Sequence, residues 1–283
     1  MVLYIVGLGM WDEKDVTVSG LEAIRKSERV ILEMYTSVLL CDSSRLEKFY
    51  GKEIEVADRE TVEQGIEPIL RDAAERDVSF LVVGDPFGAT THTDLVLRAA
   101  QLGVPTVVIH NASIMNAIGC CGLQLYRFGQ TVSMVFFTDD WKPESFYERI
   151  EENLNMGLHT LCLVDIKVKE QTIQNMMLGN KVFEPPRFMT VNTCIEQMLE
   201  VEKKLRRNVC AKDSICVGLA RVGSEEQHIA CGTMEELAVH DFGEPLHSVV
   251  IPARSLHELE IEFLRQYTLP GSAALASFKA ADS

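Results

Sequence analysis

The chain has 283 residues, 47% of them hydrophobic, which is enough to bury one large core or two modest ones; we expect two domains. The formal net charge of −15, from 42 acidic against 27 basic residues, argues against a nucleic acid or a membrane surface as partner. No apolar run is long enough to cross a membrane, and the apolar residues 3–8 have no basic flank. We therefore expect a cytoplasmic protein without a membrane helix or a signal peptide.

Eight cysteines and seven histidines could suggest a metal site, but their spacing does not. The cysteines form no CxxC pair, and the histidines show neither HExxH nor HxxxH spacing. Most of the cysteines stand among apolar residues, where a reduced thiol behaves as a small core residue. We expect no metal, and we expect structural thiols at Cys41, Cys120, Cys121, Cys162, Cys194, Cys210, Cys216 and Cys231.

Strand and helix signals alternate along the first third of the chain. The predicted strands are residues 3–6, 30–33, 80–83 and 106–109, and the predicted helices are residues 17–28, 43–50, 60–75 and 91–102. Such alternation is typical of a parallel sheet with helical crossovers. We expect a parallel α/β domain over residues 1–112.

The pattern changes in the remainder of the chain. The predicted strands are residues 131–137, 160–166, 215–220 and 228–232, and the predicted helices are residues 113–120, 144–155, 191–205 and 255–267. We expect a mixed, partly antiparallel α/β domain over residues 113–269 that completes a ligand cleft. Residues 270–283 are rich in alanine and serine and have no period, so we expect a loose tail there.

The segment GDPFGATTHTDL, residues 84–95, directly follows a predicted strand. Its first glycine frees the backbone where the strand leaves the sheet, and the proline holds Asp85 extended, so we expect the carboxylate to project into the loop. Thr91 and Asp94 have the spacing of a capping box for the next helix. Because ligands bind outside the carboxyl ends of parallel strands, this junction predicts a ligand site.

The segment GLGMWD, residues 7–12, is close to the start of the dinucleotide fingerprint, but Asp12 stands where the third glycine belongs. The next helix signal begins near Thr17, so no helix N-terminus follows closely enough to bind a pyrophosphate. No GxxxxGK[ST] phosphate loop occurs in the chain. Nicotinamide and flavin cofactors are thus disfavoured. S-adenosylmethionine, which carries no phosphate, needs neither feature.

Seven segments of the chain resemble the diphthine synthase family, the later ones in the form found in its eukaryotic branch, the diphthine methyl ester synthases. They are YIVGLG at 4–9, GDPFGATTHTDL at 84–95, VIHNASIMNAIGCCGLQLY at 108–126, HTLCLVDIKVKEQ at 159–171, EPPR at 184–187, GLARVG at 218–223 and GEPLHS at 243–248. The similarity spans most of the chain and weakens near residues 200–213 and after Tyr267. It implies a two-domain tetrapyrrole-methylase-like (class III methyltransferase) fold, with a parallel-sheet first domain and a mixed-sheet second domain.

The resemblance also implies an activity. It indicates a methyltransferase that uses S-adenosylmethionine and releases S-adenosylhomocysteine. The implied substrate is translation elongation factor 2, whose target histidine already carries a 3-amino-3-carboxypropyl group. Three methyl groups on the amine and one on the carboxylate give diphthine methyl ester. A homodimer is implied as well. No catalytic residue or general base is assigned, because a sulfonium is already an activated donor and positioning supplies much of the rate.

Motif by motif, the resemblance implies that eight residues contact the donor: Met10, Asp85, Gly88, Ser113, Ile114, Val164, Val222 and His247. Read from the residues alone, some of these have simpler interpretations. Asp85 could initiate a turn before proline, and Ser113 could cap a helix. The two valines could be core residues, and His247 could be a structural histidine.

Several rival functions stay open at this point. Within the same fold they are a three-methyl diphthine synthase and a methyltransferase that acts on a tetrapyrrole or on RNA, although the acidity of the chain opposes the RNA version. Outside it they are a non-enzymatic sensor of an adenosyl ligand and a nicotinamide oxidoreductase, which Asp12 opposes.

Overall fold

The computed structural model describes residues 1–34, 38–39, 41–58, 62, 65–168, 170–171, 175, 177–180 and 182–277. The chain divides into two compact units, Met1–Ala117 and Ile118–Ser283. The division falls after Ala117, whereas the sequence led us to expect a boundary at residue 112. The domain bounds stay a prediction.

The first unit alternates strands and helices, as expected. Its strands are β1 Leu3–Gly7, β2 Arg29–Glu33, β3 Glu55–Ala57, β4 Val78–Val82 and β5 Thr106–Ile109. Its helices are α1 Val18–Lys26, α2 Ser43–Tyr50, α3 Glu67–Glu75, α4 Thr93–Gln101 and the single turn α5 Ile114–Ala117. The helix predicted over residues 60–75 is therefore observed from Glu67, and residues 59–61 and 63–64 lie outside the described part of the chain.

The five strands form one sheet in the order β3-β2-β4-β1-β5, and every pairing in it is parallel. The predicted parallel sheet is confirmed. All five residues of β4 are buried, as the continuous apolar run of a strand covered on both faces requires. The first strand of the sequence, β1, lies between β4 and β5, so the loops that follow these three strands leave the sheet side by side.

The helix after β4 begins differently from the expectation. Helix α4 starts at Thr93 with His92 at the capping position, and no side chain caps it. The Thr90 hydroxyl instead donates to the Pro86 carbonyl, which lies 3.3 Å from the His92 Nδ1. The capping box predicted at Thr91 and Asp94 is wrong, because the helix starts at Thr93 and the Asp94 N–H donates to the Thr91 carbonyl and not to its hydroxyl.

The second unit carries the remaining elements. Its strands are β6 Val132–Met134, β7 Thr160–Val164, β8 Ile166–Lys167, β9 Arg187–Phe188, β10 Ile215–Ala220, β11 His228–Thr233 and β12 His247–Ile251. Its helices are α6 Ser145–Asn155, α7 Val191–Leu205, α8 Met234–Leu237 and α9 Glu258–Arg265, with 3-10 turns at Ile118–Cys121, Leu125–Arg127 and Ala274–Ser277.

The main sheet of this unit has the order β11-β10-β12-β7-β6. Strands β6 and β7 are parallel and the other pairs are antiparallel, so the predicted mixed sheet is confirmed. Strand β6 is shorter than the predicted 131–137. The N–H groups of Phe136 and Phe137 donate to the side chains of Asp165 and Gln197, and the sheet ladder therefore ends at Met134.

A buried carboxylate, Glu260 on α9, connects several loops of the second unit. It accepts hydrogen bonds from the His159 ring at 3.0 Å, from the N–H groups of Gln124 and His257, and from the Arg127 guanidinium at 2.9 Å. Burial alone would raise the pKa of Glu260, but the hydrogen bonds from His159 and from the N–H groups of Gln124 and His257 lower it to about 2. The network fixes the start of α9 on the segment that opens the unit.

Each unit has its own hydrophobic core. Six of the eight cysteines are buried, and the other two, Cys41 and Cys120, are half-buried; all eight are free thiols. Burial raises the pKa of Cys121 and of Cys231 to about 12. The prediction of reduced structural thiols is confirmed for the six buried residues.

The tail expected to be loose is partly ordered. In residues 270–277 a 3-10 turn buries Ala274 and Leu275, and the Ser272 hydroxyl donates to Glu236 at 2.6 Å. Residues 278–283, the rest of the expected tail, lie outside the described residues. Across the described helices, none is long and apolar enough to cross a membrane.

Candidate functional site

Three neighbouring loops form the carboxyl edge of the first sheet. They follow β4, β1 and β5. The chain leaves β1 toward β2 and leaves β4 toward β5, in opposite directions along the sheet, so right-handed crossovers place α1 and α4 on opposite faces. The carboxyl ends of β4 and β1 therefore form a topological switch point, where open α/β sheets bind ligands.

The loops after β1 and β4 are joined directly through two glycines. The Gly9 N–H donates to the Gly84 carbonyl at 3.2 Å, and the Gly84 N–H donates to the Gly9 carbonyl at 2.7 Å. Both residues have φ of +80°, a conformation that favours glycine. A side chain at Gly9 is excluded further, because its Cβ would lie 2.6 Å from the Asp15 Cβ. At Gly9 and Gly84 this edge of the sheet therefore presents backbone atoms and no side chains.

Asp85 ties the loop after β4 to the loop after β5. Its Oδ1 accepts from the Phe87 N–H at 2.9 Å, and its Oδ2 accepts from the Asn111 N–H at 3.0 Å and from the His110 Nδ1 at 2.8 Å. Burial would raise the pKa of this carboxyl, but the three donors hold it below its usual value. The bond to Phe87 is that of a turn-initiating aspartate, so Asp85 has the simpler role as well. Its contact with a donor stays a prediction.

Asn111 is a second tie at the same edge, and the sequence had not singled it out. Its Nδ2 donates to the Gly7 carbonyl at 3.0 Å and to the Asp15 carbonyl at 2.9 Å, while its Oδ1 accepts from the Ala112 N–H. In all three hydrogen bonds the Asn111 side chain pairs with a backbone group, and these groups belong to the chain that follows β1 and to the loop after β5. An asparagine two residues after a predicted strand could have signalled this role, because its amide can satisfy such orphan backbone groups.

Gly88 and Ser113 are in close contact. A Cβ built on Gly88 would lie 2.5 Å from the Ser113 Oγ, so the loop after β4 can pack against the loop after β5 only with glycine there. Ser113 is buried, and its carbonyl accepts from Asn116 and Ala117, which starts α5 at Ile114. The Ser113 N–H donates to the Asn116 side chain at 2.9 Å. Ser113 therefore begins the helix through its backbone.

Met10 lies on the loop after β1. Its N–H donates to Asp15 Oδ2 at 3.1 Å, and the next N–H, that of Trp11, donates to the same oxygen at 2.9 Å. The Met10 side chain is half-buried. The structure thus brings five of the eight predicted site residues onto one edge of the first sheet: Met10, Asp85, Gly88, Ser113 and Ile114.

The other three predicted residues lie together on one edge of the second sheet. Val164 ends β7, His247 begins β12 between β7 and β10, and Val222 follows the end of β10 by two residues. The register pairs His247 with Ala220, and it pairs Ser248 with Leu163. Because β12 is antiparallel to both neighbours, its first residue is level with the last residues of the other two.

His247 has partners in the protein for both ring nitrogens. Nδ1 accepts from the Val191 N–H at the start of α7, at 3.2 Å, and Nε2 lies 3.0 Å from the Glu244 carbonyl, to which it donates. Burial lowers the pKa of His247, so the ring is neutral at physiological pH. His247 therefore has a structural role, and a ligand could contact only its ring face or the adjacent backbone.

Over the part of the chain that the structure describes, no group of three or more His, Cys, Asp and Glu residues is placed to hold a metal ion.

Comparisons with known proteins agree on one family. The model of the Tetrapyrrole (Corrin/Porphyrin) Methylases matches residues 2–238. Diphthine methyl ester synthases of Schizosaccharomyces pombe and Homo sapiens are 57% and 55% identical over 268 and 273 residues, which is 95% of this chain in both cases and 95% and 96% of those proteins. A crystal structure of diphthine synthase is similar with a TM-score of 0.82 at 34% identity, covering 95% of this chain and 96% of the other.

Proposed function

The chain belongs to the tetrapyrrole methylase family, in the group of the diphthine methyl ester synthases, and we propose that it methylates the 3-amino-3-carboxypropyl-histidine of translation elongation factor 2 four times. The donor is S-adenosylmethionine and the product is diphthine methyl ester. The observation that carries this proposal is the identity of 55–57% to relatives of that name over 95% of the chain.

The chemistry of the two sheet edges suits this donor. S-adenosylmethionine presents an adenine, a ribose diol, an amino-acid zwitterion and a sulfonium, which call for apolar walls, backbone hydrogen bonds and few carboxylates. The first edge offers glycine backbone at Gly9, Gly84 and Gly88 and one partly buried carboxylate, Asp85. The second offers Val164, Val222 and a neutral imidazole.

The features that a dinucleotide needs are missing from the same loops. Eight residues separate Gly9 from α1, whose first residue is Val18, so the helix N-terminus does not follow the glycines closely. The loop between them is occupied instead by Asp12 and Glu13, which are buried and paired with Arg45. This favours a donor without phosphate over a nicotinamide cofactor.

We assign donor contacts to Met10, Asp85, Gly88, Ser113 and Ile114 in the first unit and to Val164, Val222 and His247 in the second. When bound, the sulfonium supplies an activated methyl group. The protein aligns the acceptor and excludes water, a contribution that reaches about 7–11 kcal/mol in favourable cases. The tie of Asp85 to Phe87 and Asn111 holds this edge in one geometry before binding, which is what such alignment requires.

The class of the methyl acceptor, the cell compartment and the oligomeric state are proposed on further grounds. The net charge of −15 argues against a nucleic-acid acceptor and is compatible with a protein acceptor. Eight free thiols with most of them buried suit a reducing compartment, so we place the protein in the cytoplasm. We propose a homodimer because the resemblance implies one.

The test uses elongation factor 2 that carries the unmethylated side chain. After incubation with the protein and an excess of S-adenosylmethionine, mass analysis of the modified peptide should show four added methyl groups. Mild alkali should then remove a single methyl, because it hydrolyses an ester and leaves a quaternary ammonium intact. Arrest at three base-stable methyl groups would indicate a three-methyl diphthine synthase. Donor binding without any transfer would indicate a sensor.

A further inference from the structure

His110, the first residue after β5, forms a dyad with Asp85 at the carboxyl edge of the first sheet. The His110 Nδ1 lies 2.8 Å from the Asp85 Oδ2. A carboxylate can only accept, so the hydrogen of the neutral ring is on Nδ1 and the lone pair is on Nε2. The two N–H groups of Phe87 and Asn111 hold the carboxylate in place while it orients the ring.

The reactive nitrogen of this ring is accessible. The His110 side chain is 66% exposed, whereas that of Asp85 is 15% exposed. The ring packs edge-on against Phe87, with centroids 5.9 Å apart. Among the hydrogen bonds of the described residues, none engages the His110 Nε2.

The other six histidines are placed differently. His92 and His159 are almost fully buried, and His247 uses both nitrogens within the protein. His228 and His240 face each other through their Nε2 atoms at 2.9 Å. His257 caps α9. His110 is therefore the histidine that combines an oriented ring with an outward Nε2.

The proposed reaction needs a proton acceptor for only part of its course. The substrate amine is an ammonium near neutral pH, and each of the three N-methyl transfers requires the loss of one proton before the nitrogen lone pair attacks the methyl carbon. As the C–N bond forms, the C–S bond breaks and its electron pair stays on sulfur. The carboxylate, in contrast, attacks as it stands and releases no proton.

We propose that His110 is the general base of the three amine methylations, with Asp85 as its positioning residue. The Nε2 lone pair takes the proton of the substrate ammonium and returns it to solvent between transfers. Ester formation does not use this step. The inference rests on the proposed function, because it assumes an amine and a carboxylate in the same acceptor.

The test separates the two chemistries in the intact protein. In His110→Gln, single-turnover rates are measured at saturating donor on the unmethylated acceptor and on the trimethylated acid. The ratio of N-methylation to ester formation should fall about 100-fold, the usual size of a general-base contribution. The control is His257→Asn, in which asparagine can replace the exposed histidine as a helix cap. The control should keep the ratio of the unchanged protein.

Imidazole in solution should restore part of the N-methylation in His110→Ala, because the site is exposed. An unchanged ratio in His110→Gln overturns the proposal. An equal fall of both reactions also overturns it, since that result assigns His110 to substrate binding or to structure.

A second readout does not depend on turnover. Nitrogen-15 NMR of the free protein at alkaline pH, where imidazoles are neutral, should show the Nδ1–H tautomer for His110, with the signal identified by its loss in His110→Gln. In Asp85→Asn the ring should shift toward the Nε2–H tautomer. An Nε2–H ring in the unchanged protein contradicts the dyad. If the unchanged protein transfers no methyl group to elongation factor 2, the function fails while this measurement still locates the proton.

Discussion

Gly88 and Ser113 approach so closely that a Cβ on Gly88 would lie 2.5 Å from the Ser113 Oγ and 2.8 Å from the Ser113 Cβ. Gly88→Ala should therefore force the loops after β4 and β5 apart. We expect the free energy of unfolding to fall by about 1–3 kcal/mol, as overpacking usually costs, and donor affinity to fall about tenfold or more, which is at least about 1.4 kcal/mol. Urea unfolding and calorimetry measure the two effects.

A double variant checks that this contact is the cause. Gly88→Ala combined with Ser113→Gly removes both close contacts and should recover part of the lost stability, with a coupling energy of about 0.5–3 kcal/mol. Gly119→Ala serves as the matched control, because the three atoms nearest its added carbon would belong to the Leu125 side chain, at 3.3 Å or more. Strict additivity of the two substitutions at residues 88 and 113 would contradict the steric explanation.

The second prediction concerns donor binding and Asp85. The protein should bind S-adenosylmethionine and S-adenosylhomocysteine in calorimetry, and NAD should not compete. Asp85→Ala should weaken donor binding and lower the free energy of unfolding by about 1–3 kcal/mol, because three donors lose their common acceptor. Asp94→Ala is the control, since it removes an exposed ion pair with Arg98 that is worth less than about 1 kcal/mol.

Donor affinity that is unchanged in Asp85→Ala, together with reduced stability, would assign Asp85 to the loop alone. Binding of NAD in place of the methyl donor would refute the donor assignment as a whole.

A third prediction follows from the buried carboxylate of Glu260. Its pKa is about 2 in the folded protein, below the value near 4.3 of an unfolded chain. The stabilisation is therefore fully present above about pH 4.3 and is lost as pH falls toward about 2, an effect of about 3 kcal/mol. Glu260→Gln should be less stable than the parent protein at neutral pH, and the difference should shrink as pH falls through this range.

Urea unfolding at several pH values measures that difference, with Glu258→Gln as an exposed control on the same helix. A difference that is independent of pH would show that Glu260 contributes by packing and neutral hydrogen bonds.

The fourth prediction separates two roles of His247. His247→Ala should leave the Val191 N–H without its acceptor and cost about 1–3 kcal/mol of stability. His247→Asn, whose side-chain oxygen can take the place of Nδ1, should recover part of that loss. If the ring face also contacts the donor, both variants should weaken donor binding in calorimetry. Normal affinity in His247→Asn would limit this residue to its structural role.

The sequence predicted those elements whose apolar pattern is set by burial. The apolar run at residues 80–83 predicted a buried strand, and β4 is buried along its whole length. The apolar period of residues 191–205 predicted a helix with one buried face, and α7 has these bounds. The end of β6 could not be predicted in this way. It depends on the side chains of Asp165 and Gln197, which reach Phe136 and Phe137 from distant parts of the chain.

The candidate site shows the same limit. Its glycines and Asp85 could be found from the sequence, because turns and close approach demand particular residue types. The roles of Asn111 and His110 depend on which loops the sheet order places side by side, and a local pattern does not contain that order. The capping box expected at Thr91 fails because the helix begins at Thr93 and the Asp94 N–H donates to the Thr91 carbonyl, not to its side chain.

The central position of β1 has a consequence for the synthesis of the protein. Leu3 pairs with Val78 on one side and with Thr106 on the other. At about 5–20 residues per second, a ribosome needs roughly 4–15 s to reach Val78 after Leu3 has been made. During that time Leu3, Ile5 and Val6, all fully buried at the end, have no strand to pair with. The nascent chain therefore leaves these apolar side chains without their partner strand until β4 has been made.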